Sequence, residues 1–247
     1  MALIAVVVLH ESGLPIYKKF LKGKKRPMEP LVAAILGLSK EVGLGDIAHA
    51  KFERASIIVL RGIDERKLLL SLLVRQVNHK CYIWGMYLLS KIEKSLGKLP
   101  DFVTDDMINT TKEIVDKYFD KLPKLPDFLG EAFMYATERF GPMFYGSLLI
   151  LLYRKFSEDP LIAFVRDPKR FISVLDKILG EDSATQLMMY MLEYICKTYP
   201  NVCNMLGIQN YRVMVKKILG AARKRSKSEV VRRFRDGIER IIDVFMS

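Results

Sequence analysis

Ala2-Leu-Ile-Ala-Val-Val-Val-Leu9, followed by His10 and then Glu11-Ser-Gly-Leu-Pro15 and Ile16-Tyr17, is the stretch that decides the fold. Its first part is apolar at every position rather than at alternate ones. That is the pattern of a strand buried on both faces. Glu11–Pro15 then supplies turn chemistry, because Gly13 accepts a positive φ and Pro15 fixes the exit. Ile16-Tyr17 starts a second short strand that pairs back on the first. The apolar run is far shorter than the ~20 residues a helix needs to span a bilayer. No basic residue precedes it, and charge arrives with Glu11, Lys18 and Lys19. It therefore reads as a core strand and not as a signal peptide.

Outward from this hairpin the period changes several times. A basic loop follows, with Lys18, Lys19, Lys22, Lys24, Lys25 and Arg26. Glu29-Pro30 opens a helix, since proline suits the first helical turn. Leu31, Ile35, Leu36 and Leu38 form its apolar side, and Gly43 and Gly45 end it. Strand-like runs come next at Ile47–Arg54, Ser56–Arg61 and Lys67–Val74, with a turn at Gly62-Ile-Asp-Glu65. From Asn78 the spacing is helical: Tyr82, Met86, Leu89, Ile92 and Leu96 recur every three or four residues up to Gly97.

The order strand, strand, helix, three strands, helix, together with the opening strand–Glu-Ser-Gly-Leu-Pro–strand, resembles longin and roadblock domains over residues 1–97. The resemblance implies a five-stranded antiparallel sheet with helices packed on it. It also implies a non-enzymatic platform for protein partners, such as small GTPases, or for self-association. An unrelated α+β sandwich, or a PAS- or profilin-like sheet, fits the same pattern.

Lys98-Leu-Pro-Asp101 is the expected linker, and residues 101–247 read as an all-helical domain. Thr104 is placed as an N-cap ahead of Asp105 and Asp106. Helices are expected over Thr104–Leu122, Asp127–Phe140, Pro142–Phe156, Asp167–Leu179 and Ser183–Tyr199, with two more beyond. Tyr145–Phe156, with Asp167-Pro168 and Ile178-Leu-Gly180, faintly resembles helical output domains of archaeal regulators. No functional residue carries over from that likeness. The fold class is thus α+β: an N-terminal sheet domain, then a helical bundle.

The strongest signal outside the core is charge. The chain carries a formal +12, and residues 212–240 hold +8 of it. Lys216, Lys217, Arg223, Lys224, Arg225, Lys227, Arg232 and Arg233 are the candidate anion contacts. They lie on two amphipathic pieces, Val213–Ala222 and Val230–Phe245, and on the cluster between them. Nucleic acid, an anionic membrane surface and an acidic protein are the partner classes such a patch fits. A solvated helix face is the plain alternative.

Reactive groups are sparse. His10, His49 and His79 have no partner at metal or triad spacing, and the helical half contains no histidine. Neither a GxSxG elbow nor a phosphate-loop motif is present. Cys81, Cys196 and Cys203 show no zinc spacing and read as three ordinary thiols in a reducing compartment. No catalytic residue, cofactor or metal is expected. Tyr82, Trp84 and Tyr87 read as core or interface aromatics, with a ligand box as the alternative; Met188, Met189, Tyr190, Met191 and Tyr194 read as bundle core, with a soft, adaptable binding groove as the alternative. Few Gln and Asn among many charged residues match the composition of hyperthermophile proteins. A cytoplasmic, non-transmembrane, non-enzymatic regulator follows as the expectation. A nucleic-acid-associated regulator is its alternative.

Overall fold

The computed structural model describes residues 3–21, 49–62, 68–97, 99–205, 208 and 210–246. They form an antiparallel five-stranded sheet followed by helices, as the α+β reading requires. The strands are β1 (Leu3–His10), β2 (Pro15–Phe20), β3 (His49–Lys51), β4 (Ser56–Arg61) and β5 (Leu68–Val74), in the order β2-β1-β5-β4-β3. The helix expected after Glu29-Pro30 and the turn residues 63–65 lie outside the described residues, as does the start of the third expected strand.

The hairpin turns where the sequence places it. Gly13 adopts φ 87°, its N–H donates to the His10 carbonyl at 2.9 Å, and the His10 N–H donates to Leu14 O at 2.9 Å. The first strand is an inner strand, with β2 on one side and β5 on the other. Side chains on both of its faces are buried, in keeping with its unbroken apolarity. Ala5, Val7 and Leu9 join Ile57, Val59 and Leu69 in one buried cluster. Val6 and Val8 belong to the opposite face, in register with Leu72 and Leu70.

That opposite face receives α1 (His79–Leu96). Asn78 caps its start through Cys81 N, and Gly97, at φ 63°, ends it. The helix approaches most closely at Gly85, where a Cβ would lie 2.4 Å from Leu60 Cδ1 and 3.0 Å from Leu72 Cδ1. Tyr82, Trp84 and Tyr87 are buried, as expected of core aromatics.

Two compact units make up the chain, Met1–Lys124 and Leu125–Ser247. The break at Leu99-Pro100 is therefore not the boundary between them. Helix α2 (Asp105–Tyr118), capped by Thr104 Oγ1 on Met107 N, packs on α1 and β2. A 3₁₀ turn, Phe119–Lys124, follows. The reason is chemical. Asp116 on α2 accepts hydrogen bonds from Tyr17 and Lys19 of β2. Tyr118 meets Tyr87 edge-on at 5.2 Å, and the Lys19 ammonium lies over the Phe119 ring. Composition changes at residue 99, but the packing does not.

The second unit is helical: α3 (Phe128–Glu138), α4 (Phe144–Phe156), α5 (Pro160–Arg166), α6 (Pro168–Leu179), α7 (Glu181–Thr198), α8 (Pro200–Met205), α9 (Tyr211–Lys224) and α10 (Lys227–Met246). The sequence reading lacks α5 and α8, each shorter than two turns. Their starts are nonetheless written plainly. Asp159 accepts from the N–H groups of Leu161 and Ile162 ahead of Pro160, and Pro200 opens α8. Ile172, Val215, Leu219, Ala222 and Val230 form one core of this unit, with Met188, Met189 and Leu192 against it. The methionine stripe is core, as its spacing implies. No helix among the described residues is long and apolar enough to cross a membrane.

Candidate interaction surfaces

Half of the eight candidate anion contacts pair with carboxylates of this chain, although Lys227 and Arg233 stay exposed. Arg223 reaches from α9 to α6 and donates through Nε and Nη2 to both carboxylate oxygens of Asp176, at 2.9 and 2.6 Å. This charge-assisted fork holds the Arg223 guanidinium even more firmly protonated than usual. Arg225 pairs with Glu229, which also receives Arg233 at 3.4 Å. Lys227 pairs with Asp167 at 2.7 Å. Lys169 donates to the Arg225 carbonyl at the end of α9, satisfying a carbonyl the helix leaves open.

The other four differ. Lys216, Lys217, Lys224 and Arg232 are exposed. Lys216, Lys217 and Lys224 lie on α9 with exposed Arg212, Val213 and Ile218. Val215, Leu219 and Ala222 of the same helix are buried. The result is a basic outward face on α9 with two apolar side chains in it. The apolar residues of α10 turn inward: Val230, Ile238 and Ile242 are buried, and Phe234 meets Phe164 at 5.0 Å.

A second surface was not singled out by sequence reasoning. Helix α4 is apolar nearly all round, yet only Leu148 and Leu152 are buried. Met143 just before it, and Ile150 and Tyr153 on it, are 80%, 57% and 58% exposed. Gly146 is exposed as well, and a Cβ there would meet nothing within 4 Å. Positions 143, 146, 150 and 153 recur three, four and three residues apart, so they form one stripe opposite Leu148 and Leu152. Tyr145 and Leu151 widen it on either side. The signal was present as two apolar stripes on one helix. A core reading of Met143–Tyr153 absorbs both.

Acid–base candidates are held structurally. His10 is buried, and its Nδ1 lies 2.9 Å from Ser12 Oγ beside the hairpin turn. His49 is exposed on β3, and His79 is buried at the start of α1. Glu131 Oε2 accepts hydrogen bonds from the hydroxyls of Tyr194 (3.1 Å) and Tyr199 (3.0 Å), tying α3 to the end of α7. Burial, then the Glu131 carboxylate, pushes Tyr199 up to about 12. No group of three or more His, Cys, Asp or Glu among the described residues is placed to hold a metal ion.

The cysteines correct the sequence reading. Cys196 and Cys203 form a disulfide, with their Cα atoms 5.1 Å apart. The chain reverses at Tyr199-Pro200, which returns α8 against the end of α7 and brings the two thiols within bridging distance. Spacing alone, without that corner, gave no reason to pair them. Cys81 is buried and forms no disulfide among the described residues, and burial pushes its thiol up.

Comparison of the chain with protein-family models and with curated proteins finds no match.

Proposed function

We propose that this chain is a non-enzymatic interaction protein: a longin/roadblock-like platform joined to a helical effector module that contacts protein partners. The observation that carries the reading is the stripe Met143, Gly146, Ile150 and Tyr153. It displays on the surface of the helical unit the kind of contiguous apolar area that marks association sites. The antiparallel sheet with α1 on one face agrees with what the longin/roadblock resemblance implies for residues 1–97. A small GTPase or a second copy of the chain is the partner class that resemblance suggests. The test is crosslinking capture from native lysate, with and without nuclease, and in parallel with GDP- and GTP-loaded small GTPases. A protein partner retained after nuclease is the expected result. Loss of every partner on nuclease treatment would sink the reading.

One observation favours a second reading. Arg212, Lys216, Lys217 and Lys224 are exposed on α9, and they make no ion pair among the described residues. They could contact the phosphates of a nucleic acid, or an anionic membrane surface. Salt titration against duplex DNA, RNA and anionic vesicles tests it. Each phosphate contact removed flattens the log–log salt slope by about 0.9 for duplex.

A further inference from the structure

We infer that the exposed stripe of α4 is a self-association surface, which pairs antiparallel with α4 of a second copy of this chain about a two-fold axis near position 148. This rests on the reading of the chain as an interaction protein, and it names the occupant of that surface. Three observations carry it.

The first is self-complementarity. An isologous contact requires that each residue meet a fitting residue of the same helix run in reverse. About position 148, Met143 falls opposite Tyr153, and Gly146 falls opposite Ile150. The thioether of a methionine packs well against an aromatic ring. At Gly146 nothing lies within 4 Å of where a Cβ would be, so the helix surface has a hollow there. A β-branched side chain from the facing helix fills it, as a knob fills a hole. Both pairs occur twice in a two-fold dimer, so the stripe is used along its whole length.

The second is area. Five large apolar residues on or beside the stripe are partly or mostly exposed: Met143, Tyr145, Ile150, Leu151 and Tyr153. With each large side chain presenting about half of an area on the order of 150–250 Å², they offer roughly 500 Å² per copy. A standard interface buries about 800 Å² per partner. The polar surroundings of the stripe, among them Ser147 and Arg154, make up the difference as a rim.

The third is charge. Helix α4 contains no acidic residue and carries Arg154 and Lys155 in its last turn. Parallel pairing would bring four cations together at one end, a like-charge juxtaposition that disfavours that register. Antiparallel pairing sends the two basic ends to opposite sides. Lipid is the other apolar partner to weigh. Insertion into a bilayer gains from bulk at the centre of the face, whereas this stripe has Gly146 there. A hollow suits a shaped protein surface better than fluid hydrocarbon.

The experiment uses the purified full chain. Sedimentation equilibrium is expected to give a dimer that dissociates in the Ile150→Asp variant, with thermal unfolding at high dilution unchanged because Ile150 is already exposed. A Met143→Cys/Tyr153→Cys double variant is expected to give covalent dimers under mild oxidation. The two positions on one helix are about 15 Å apart at 1.5 Å per residue, too far to bridge within a chain, and neither single variant should crosslink. Any one of four results would overturn the inference: a monomeric unmodified chain at tens of micromolar, a dimer that survives Ile150→Asp, crosslinking by the Met143→Cys single variant, or flotation with phosphatidylcholine vesicles that is lost in Ile150→Asp. A monomer that still retains a nuclease-resistant protein partner would remove this pairing alone and leave the broader reading standing.

Discussion

Asp116 accepts a hydrogen bond from the Tyr17 hydroxyl at 2.9 Å, joining α2 to the edge strand β2 across 99 positions of sequence. Lys19 Nζ lies 2.9 Å from the same carboxylate oxygen. Burial disfavours the charge on Asp116, but the Lys19 ammonium and the Tyr17 hydroxyl more than offset it, and its carboxyl sits below the ordinary range. Burial, then Asp116, pushes Tyr17 up to about 12.

Replacing Asp116 by Ala is therefore expected to loosen α2 from β2 and cost less than about 1 kcal/mol, since the pair is partly solvated. The pH dependence has two limbs. A depressed carboxyl adds stability above its unfolded value and loses it as acid protonates the folded form, so the Asp116 contribution disappears below about pH 4. A raised phenol adds stability below its unfolded value of about 10, and that contribution is lost as pH rises toward 12. Denaturant midpoints of the unmodified chain and Asp116→Ala across this range check both limbs. Curves that stay parallel throughout would show that the contact contributes nothing.

Two glycines within helices are expected to respond in opposite directions. At Gly85 an added Cβ runs into Leu60 and Leu72 of the sheet, so Gly85→Ala should destabilise by roughly 1–3 kcal/mol through overpacking. At Gly220 on α9 a Cβ meets nothing within 4 Å. Gly220→Ala should stabilise by about 0.5–1 kcal/mol through helix propensity alone. Thermal unfolding of the two variants decides the matter, and equal shifts would contradict the close approach of α1 to the sheet.

The Cys196–Cys203 bridge closes a short loop across the α7–α8 corner. In the chain-entropy account a loop of this length contributes roughly 2–3 kcal/mol. A Cys196→Ser/Cys203→Ser variant should lower the unfolding temperature. Loss of order should begin near Tyr199 and Val202, beside the contact of Tyr199 with Phe245 on α10. Hydrogen exchange with and without reductant, together with peptide mapping under non-reducing conditions, tests the bond and its effect.

Arginine and lysine variants in the basic end should separate two roles. Arg223→Ala breaks a partly buried, two-point contact with Asp176 and should cost roughly 1.5–3 kcal/mol of stability. Lys216→Ala, Lys217→Ala and Lys224→Ala remove exposed cations and should leave thermal unfolding unchanged within about 0.5 kcal/mol. Any effect of the lysine variants on anion binding is then separable from folding. A lysine variant that unfolds as early as Arg223→Ala would show that the α9 face is packed rather than displayed.

Much of the fold is written locally. The unbroken apolarity of Leu3–Leu9, the turn at Gly13, and the caps Asn78, Thr104 and Gly97 each specify their element without reference to the rest of the chain. Three features were not read from the sequence, and only some of the contacts behind them join distant residues. Attachment of α2 to the first unit needs Tyr17 and Lys19 to meet Asp116. The disulfide needs the corner at Pro200. The quenching of Arg223, Arg225, Lys227 and Arg233 needs Asp176, Glu229 and Asp167, so a sequence tally overstates the free positive charge. The α4 stripe is an intermediate case. Its spacing is visible in the sequence, but which of two apolar stripes faces inward is settled only by the packing of Leu148 and Leu152.

The inner place of β1, between β2 and β5, also sets a timetable for biosynthesis. β2 emerges directly after β1 and covers one of its edges, but the other edge waits for β5, in which Ser71 is the partner of Val7. At about 5–20 residues per second that interval lasts several seconds. Throughout it, an uncharged and strongly β-forming segment holds a row of unpaired backbone groups open to any neighbouring nascent chain. Soluble yield is then expected to respond to translation speed between β2 and β5. Slow codons there should raise the demand for a ribosome-bound chaperone, while the same codons placed after β5 should not.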